Sequence, residues 1–241
     1  LLEISFNSGT EVQGTLFMDR DRVRSLTSLV PSAISLTQQA EPDRAHVEGF
    51  IEQIYARRFG SVIARHYPTL INVHDGHGRI VAAVGLRLAA EEPLFLERYL
   101  DRPVQLALSR AKHGPVDRRG IVEIGNLASA SRGASVFLFV TLAAYLRQQN
   151  LTYGVVTGTK ALRRSFALFG FDFVELGVAN PDALPDKGAS WGSYYARDPK
   201  VLGGAIAPAC ARLEPYLPTA ENTDLKRLFA RLHPAPSERT Q

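Results

Sequence analysis

Apolar and polar positions along the chain follow two periods, and the changes between them set out the elements. Over residues 1–17, Ile4, Phe6, Val12 and Phe17 stand in polar surroundings, with Asn7-Ser8-Gly9 as a turn, so paired strands are expected. Residues 23–40 are loosely patterned, with Pro31 inside and Pro42 just beyond. Asp43 reads as an N-cap for a helix through Val47, Phe50, Ile51, Ile54 and Tyr55, spaced by threes and fours and ending near Gly60. Residues 69–74 and 79–88 read as a hairpin around Asp75-Gly76-His77-Gly78. A short helix over 93–99 follows, then strands over 104–108 and 121–128, separated by a basic loop with Gly114-Pro115. Residues 131–148 form a nearly all-apolar helix. Residues 153–157 show no polar alternation and predict a strand buried on both faces. An amphipathic helix over 160–169 stops at Gly170, and strands are expected over 171–176 and 191–196. Residues 199–232 read as helices broken by Pro208, Pro215 and Pro218, before a frayed tail over 233–241.

Strand–helix–strand–helix–strand in the middle favours parallel pairing through crossovers, and the hairpin before it adds antiparallel edges. The expected fold class is therefore α/β, a mixed, centrally twisted sheet flanked by helices. The expected divisions are residues 1–44 as N-terminal strands and linker, 45–198 as the core, and 199–241 as a helical extension and tail.

Composition narrows the class. The chain has 241 residues, long enough for one well-buried core. Its single cysteine, Cys210, excludes a disulfide framework and a thiolate zinc site, and it has no histidine nearby to make it a nucleophile. Glu3, Asn7, Glu11 and Asp19 interrupt the N-terminal stretch, so no signal-peptide core forms, and a cytoplasmic location is expected. The longest apolar stretch, 135–146, falls short of the ~20 residues of a bilayer span, so no transmembrane segment is expected.

Charge is unevenly placed. The net charge is +4, but residues 105–171 alone carry +7, with Asp117 and Glu123 their only acids. An anionic partner such as an acidic carrier protein suits this segment; a scatter of solvated charges is the alternative. The basic residues are not interleaved with aromatics on one element, so no nucleic-acid partner is expected.

The helix Ala161-Leu-Arg-Arg-Ser-Phe-Ala-Leu-Phe-Gly170-Phe171 resembles the one that ends in Gly-Phe in the GCN5-related N-acetyltransferases. Glu123-Ile-Gly-Asn126-Leu-Ala128, followed by Gly133-Ala134, is similar to their cofactor-facing strand and pyrophosphate turn. A glutamate opens the same strand in acyl-homoserine-lactone synthases. Tyr67-Pro68-Thr69-Leu70, the run 123–129, Thr157-Gly-Thr-Lys160-Ala161-Leu162-Arg163 and Trp191-Gly-Ser-Tyr-Tyr195 together resemble the thermostable hemolysins over roughly 47–204. That family name implies red-cell lysis, whereas the fold implies acyl transfer from a thioester, acyl-CoA or an acyl-phosphopantetheine on a carrier protein, to a small amine. A non-catalytic acyl-thioester-binding module is a third reading.

Acyl transfer to an amine needs a held donor, a stabilised carbonyl oxygen and a base. Arg132, Gly133 and Ala134 sit between a strand and a helix, where helix-end amides bind phosphate; a plain helix entry capped by Ser131 is the alternative. The spacing around Gly133 departs from the superfamily pattern, which makes an acyl-carrier donor an alternative to coenzyme A. Glu123 is the expected base, with a salt bridge to Arg118 or Arg119 as the other reading. Asn126 shares its face only if the strand bulges at Gly125, and the amides of Leu127 and Ala128 then face the thioester carbonyl. Arg65, His66 and Tyr67 precede the hairpin on the acceptor side implied by the resemblance, with a packed histidine as the other reading of His66. Trp191 is counted with them, and packing or an acyl tunnel are its other readings, shared with Tyr194 and Tyr195. Phe166 stands where the superfamily often has an acid tyrosine. His74 and His77 flank a turn without a third ligand, so no metal is expected.

Overall fold

The computed structural model describes residues 2–8, 11–25, 27–130, 132–168, 171–213 and 233–234. One mixed sheet of ten strands runs through them, in the order β10-β2-β1-β3-β4-β5-β6-β7-β9-β8. The strands are β1 (Leu2–Ser8), β2 (Glu11–Met18), β3 (Pro31–Thr37), β4 (Thr69–Asp75), β5 (Ile80–Leu88), β6 (Ile121–Ser129), β7 (Tyr153–Gly158), β8 (Val174–Val178), β9 (Lys200–Ala205) and β10 (His233–Pro234). Only β1/β3 and β6/β7 pair in parallel; every other neighbour is antiparallel.

The helices are α1 (Arg20–Arg24), α2 (Arg44–Phe59), α3 (Val104–Lys112), α4 (Arg132–Gln148), α5 (Lys160–Leu168) and α6 (Ile206–Leu213). Strand alternation sorts side chains to two faces. On β5, Ala82, Val84 and Leu86 join a core with Phe137, Leu138 and Leu142 of α4, while Ala83 packs on the other side with Val47 and Ile51 of α2. Further along that second face, Val104 and Leu108 of α3 cover Ile121, Val155 and Val201. Gly60 ends α2 at φ 69°, a left-handed position that glycine takes without strain. Asp43 precedes α2, but its side chain makes no cap hydrogen bond.

Several expectations need correction. Residues 104–108 are not a strand but open α3. Their apolar positions look alternating, yet the buried pair is Val104 and Leu108, one helical turn apart, and Leu106 between them is 52% exposed. Residues 191–196 are not a strand either. They lie in short 3₁₀ turns, because Trp191, Tyr194 and Tyr195 stack on one another and on Tyr55 and Phe59 of α2. Gly192 makes that turn at φ 53°, where a Cβ would meet the Phe59 carbonyl oxygen at 2.1 Å. The strand that does pair there is β9, in a stretch that reads as helical. β8 begins three residues later than expected. The loosely patterned stretch holds the end of α1 and all of β3, and β3 hydrogen-bonds to β4, so the N-terminal strands extend the same sheet. His233 and Pro234 pair with β2 instead of fraying. Gly9, Ser131, Gly170, Pro215 and Pro218 lie outside the described residues.

Candidate active site

The site is organised by one irregularity in β6. Opposite β5 the register runs Gly85↔Gly125 and then Ala83↔Ala128, so Asn126 and Leu127 bulge out against Val84. Asn126 takes φ 48°, a left-handed conformation that asparagine adopts more readily than most residues. The bulge reverses the alternation. Before it, Val122 faces α4 and Ile121 faces α3; after it, Leu127 packs toward α4 and Ala128 toward α2. Glu123 and Asn126 are thereby brought to the same face, and both hold Tyr67.

Tyr67 lies across Gly85 and Gly125, which are paired in the ladder. A Cβ on Gly125 would stand 2.2 Å from Tyr67 Cζ, and one on Gly85 would stand 2.7 Å from Tyr67 Cβ. Two adjacent glycines therefore make a slot the width of a phenol ring. The Tyr67 amide donates to Asn126 Oδ1 at 3.0 Å, and its hydroxyl is hydrogen-bonded to the Glu123 carboxylate. Arg87, directly opposite Glu123 on β5, places its guanidinium 4.8 Å from the Tyr67 ring centre.

Glu123 is 1% exposed. The Phe95 and Leu96 amides donate to its two carboxylate oxygens at 2.7 and 2.9 Å. Burial pushes its pKa up, against the opposing pull of Tyr67 and those two amides. Burial, and then the Glu123 charge, hold the Tyr67 phenol well above its ordinary range. The salt-bridge reading of Glu123 is not what the structure holds: Arg118 pairs with Glu97 at 2.6 Å and Arg119 with Asp117 at 2.7 Å.

Two hollows flank the point where β6 and β7 part. Their ladder ends at Ile124↔Val156, although both strands continue. On the α2 face lies a cleft of about 330 Å³, lined by Tyr67, Arg87, Gly125, Asn126, Trp191 and Thr157 of β7 among others. Arg65, Arg98, Glu92 and Asp186 also border it. On the opposite face lies a narrow apolar pocket of about 60 Å³ under α4, α5 and α6, lined by Leu127, Phe139, Phe166 and Phe171. Ile124 lines both. Phe166 is an apolar wall here, its ring 5.8 Å from Phe139 and 4.9 Å from Phe173.

The remaining sequence candidates divide. Arg65, Tyr67 and Trp191 border the cleft; His66 does not. His66 is packed between Glu48 and Glu52 of α2, 3.6 Å from each, and burial lowers its pKa. Arg132 opens α4. Gly133 sits against Thr27, where a Cβ would meet Thr27 Oγ1, and Ala134 is fully buried. Gly133 and Ala134 line neither of these two hollows. Sequence reasoning missed Arg87, although it is the only charge in the apolar run of β5. It also missed Gly85, and the Phe95 and Leu96 amides, which no side-chain pattern announces. Among the described residues no three His, Cys, Asp or Glu side chains gather as a metal-binding group, and no helix is long and apolar enough to cross a membrane.

Several solved structures share this architecture. The acyl-homoserine-lactone synthase LasI matches with a TM-score of 0.53 at 14% identity, over 78% of this chain and 98% of its own. FeeM, an N-acyl amino acid synthase from uncultured soil microbes, matches at 0.53 and 14%, over 77% and 96%. TofI in an apo form matches at 0.54 and 13%, over 75% and 95%. At such identities the likeness is one of fold, and the mixed, N-acyltransferase-like sheet expected from the sequence is the fold found. No curated relative matches the chain. The thermostable hemolysin family matches residues 37–210, and the chain belongs to that family.

Proposed function

We propose that the chain is a cytoplasmic N-acyltransferase, moving an acyl group from acyl-CoA or an acyl-carrier protein to a small amine. The parting of β6 and β7 at Ile124 carries this reading, because it lies between a polar cleft on one face and an apolar pocket on the other, with Ile124 lining both. A thioester laid across the gap would put its acyl chain among Leu127, Phe139 and Phe166 and its carbonyl beside the bulge.

Glu123 does not line the cleft, so its part as base runs through Tyr67. The amine nitrogen attacks the thioester carbonyl carbon, forming the C–N bond. Its proton passes to the Tyr67 oxygen as the Tyr67 proton passes to Glu123, and the C–S bond breaks to release thiolate. The Leu127 and Ala128 amides are the proposed oxyanion donors. Arg132, Gly133 and Ala134 at the start of α4 would hold the donor's phosphates, approached from the side away from Thr27. The basic 105–171 segment would meet an acidic carrier protein through charges other than Arg118, Arg119 and Arg163, which are already ion-paired. Arg65 and Arg98 around the cleft, beside an Arg87 that is paired with Glu92 at 3.3 Å, suit an amine that also bears a carboxylate, as the product name of the N-acyl amino acid synthase suggests.

Mass spectrometry of the chain with acyl-CoA and acyl-carrier thioesters and pooled amines tests this. Free thiol and a new acyl amide are expected from one donor class. Donor binding without thiol release from any donor would overturn it in favour of a binding module. Dye release from liposomes by the chain alone, with no thiol release, would favour direct lysis.

A further inference from the structure

A third hollow lies apart from the cleft and the apolar pocket. A groove of about 650 Å³ runs between the N-terminal half of α2 and the face of β3, β4 and β5, and it shares no lining residue with the cleft. The sheet face beneath it is polar where a helix-covered face is normally apolar. Ser35 and Thr37 of β3 stand beside Asn72 and His74 of β4, with Ser35 and Asn72 paired in the ladder. The other half of the same helix covers Leu70, Ala83 and Ala128.

The groove is rich in hydrogen-bond acceptors and in negative charge. Asn72 is 1% exposed; its Nδ2 donates to Thr37 Oγ1 at 3.1 Å, and its Oδ1 makes no hydrogen bond. Native structures rarely leave a buried carbonyl in that state. His74 Nδ1 lies 3.1 Å from the Gly78 carbonyl, which can only accept, so Nδ1 carries a proton, and in the neutral ring Nε2 is an acceptor. Glu41 and Asp43 stand at the rim, and neither carboxylate has an ion-pair partner among the described residues. Among the described residues no Lys or Arg lines the groove. The adjacent cation, Arg44, is turned beneath it, donating to the carbonyls of Thr37, Pro68 and Tyr67. The first amides of α2 are taken by the carbonyls of Glu41 and Asp43, so this helix end offers little to an anion.

We propose that this groove is a second ligand site that binds a small organic ammonium ion, its N–H groups donating to Asn72 Oδ1 and His74 Nε2 and its charge facing Glu41 and Asp43. The site stands apart from the acyl-transfer reading. A polar connection to the cleft runs through Arg44, which ties Thr37, beside Asn72, to the Tyr67 backbone.

Calorimetry and thermal shift on the full chain test this with putrescine, ethanolamine and spermidine as probes, and with 1,4-butanediol, succinate and magnesium as neutral, anionic and inorganic controls. At least one ammonium probe is expected to bind and raise the Tm while the controls do not. Glu41→Gln with Asp43→Asn, on loop positions that are half-buried and exposed respectively, is expected to weaken that binding about tenfold or more. Glu92→Gln, which removes a carboxylate from the border of the cleft, is expected to leave it unchanged. Failure of all three ammonium probes to bind overturns the site. So does binding that survives the double substitution or is lost in Glu92→Gln, which would place the amine in the cleft.

Discussion

The two halves of β6 make different use of one strand. From Ile121 to Ile124 it is paired on both sides and its side chains alternate regularly between two buried faces. Beyond Ile124 it keeps only β5 as a partner, bulges, and turns Asn126 into a left-handed conformation. The first half is scaffold with a single charge, Glu123, buried in it; the second half faces two hollows. The difference shows how a fold holds a carboxylate at the brink of a site without exposing it. The ladder fixes Glu123 in depth, and the bulge brings Asn126 to the same side, so that one tyrosine is gripped at its amide and at its hydroxyl.

Substitutions at the boundary between the halves break that contrast most sharply. Gly125→Ala drives a methyl group into the Tyr67 ring. A loss of about 3 kcal/mol in stability is expected from such overpacking, together with loss of turnover. Adding Tyr67→Ala to the same chain should recover part of the stability, a coupling that a double-mutant cycle with chemical denaturation measures. Glu123→Gln keeps the shape but not the base. Turnover should fall by roughly 10²–10⁴-fold while donor affinity holds, and full turnover in this variant would remove Glu123 from the mechanism. Phe166→Tyr sharpens the comparison from the other face. Burying a hydroxyl in the aromatic cluster should cost about 1–2 kcal/mol and bring no gain in rate. A faster enzyme would show that the missing hydroxyl had been limiting.

The smallest effect is on pH dependence. Glu123 has a raised pKa in the folded chain, so it binds its proton more tightly folded than unfolded. Its contribution to stability is full at acid pH and declines as pH rises above the unfolded carboxylate value. Glu97 behaves oppositely. Burial would raise its pKa, but hydrogen bonds from Arg118 and from the Val104 and Leu94 amides outweigh that and hold it at about 2. Its stabilisation is present above about 4.5 and lost as pH falls towards 2. Denaturation midpoints across this range should lose the first slope in Glu123→Gln and keep the second.

Much of the fold could be read from local pattern. The 69–88 hairpin, the amphipathic face of α2, the stop at Gly60 and the all-buried β7 follow from periodicity and turn chemistry that act within a few residues. The failures have the opposite character. Val104, Leu106 and Leu108 fit either period, and only the exposure of Leu106, a tertiary fact, decides for helix. The aromatic run at 191–196 has strand-like composition, but its rings find better partners on α2 than a neighbouring strand could offer. In the site, Glu123 drew notice as a lone acid among bases, and Gly125 as a place for a bulge. Arg87 and Gly85 did not, because their meaning comes from what lies across the ladder. His66 has site residues on both sides in sequence, yet it points to α2.

The paired glycines that admit Tyr67 have one more consequence. Removing the ring, as in Tyr67→Ala, would leave a flat socket between two strands, floored by backbone and closed at one end by a buried carboxylate. Dry cavities of that shape take up small aromatic molecules. Free phenol should fit the vacancy and present its hydroxyl to Glu123, so that a crippled variant becomes dependent on an added small molecule. An on-off control of this kind would need no redesign, because the strand ladder already supplies the mould.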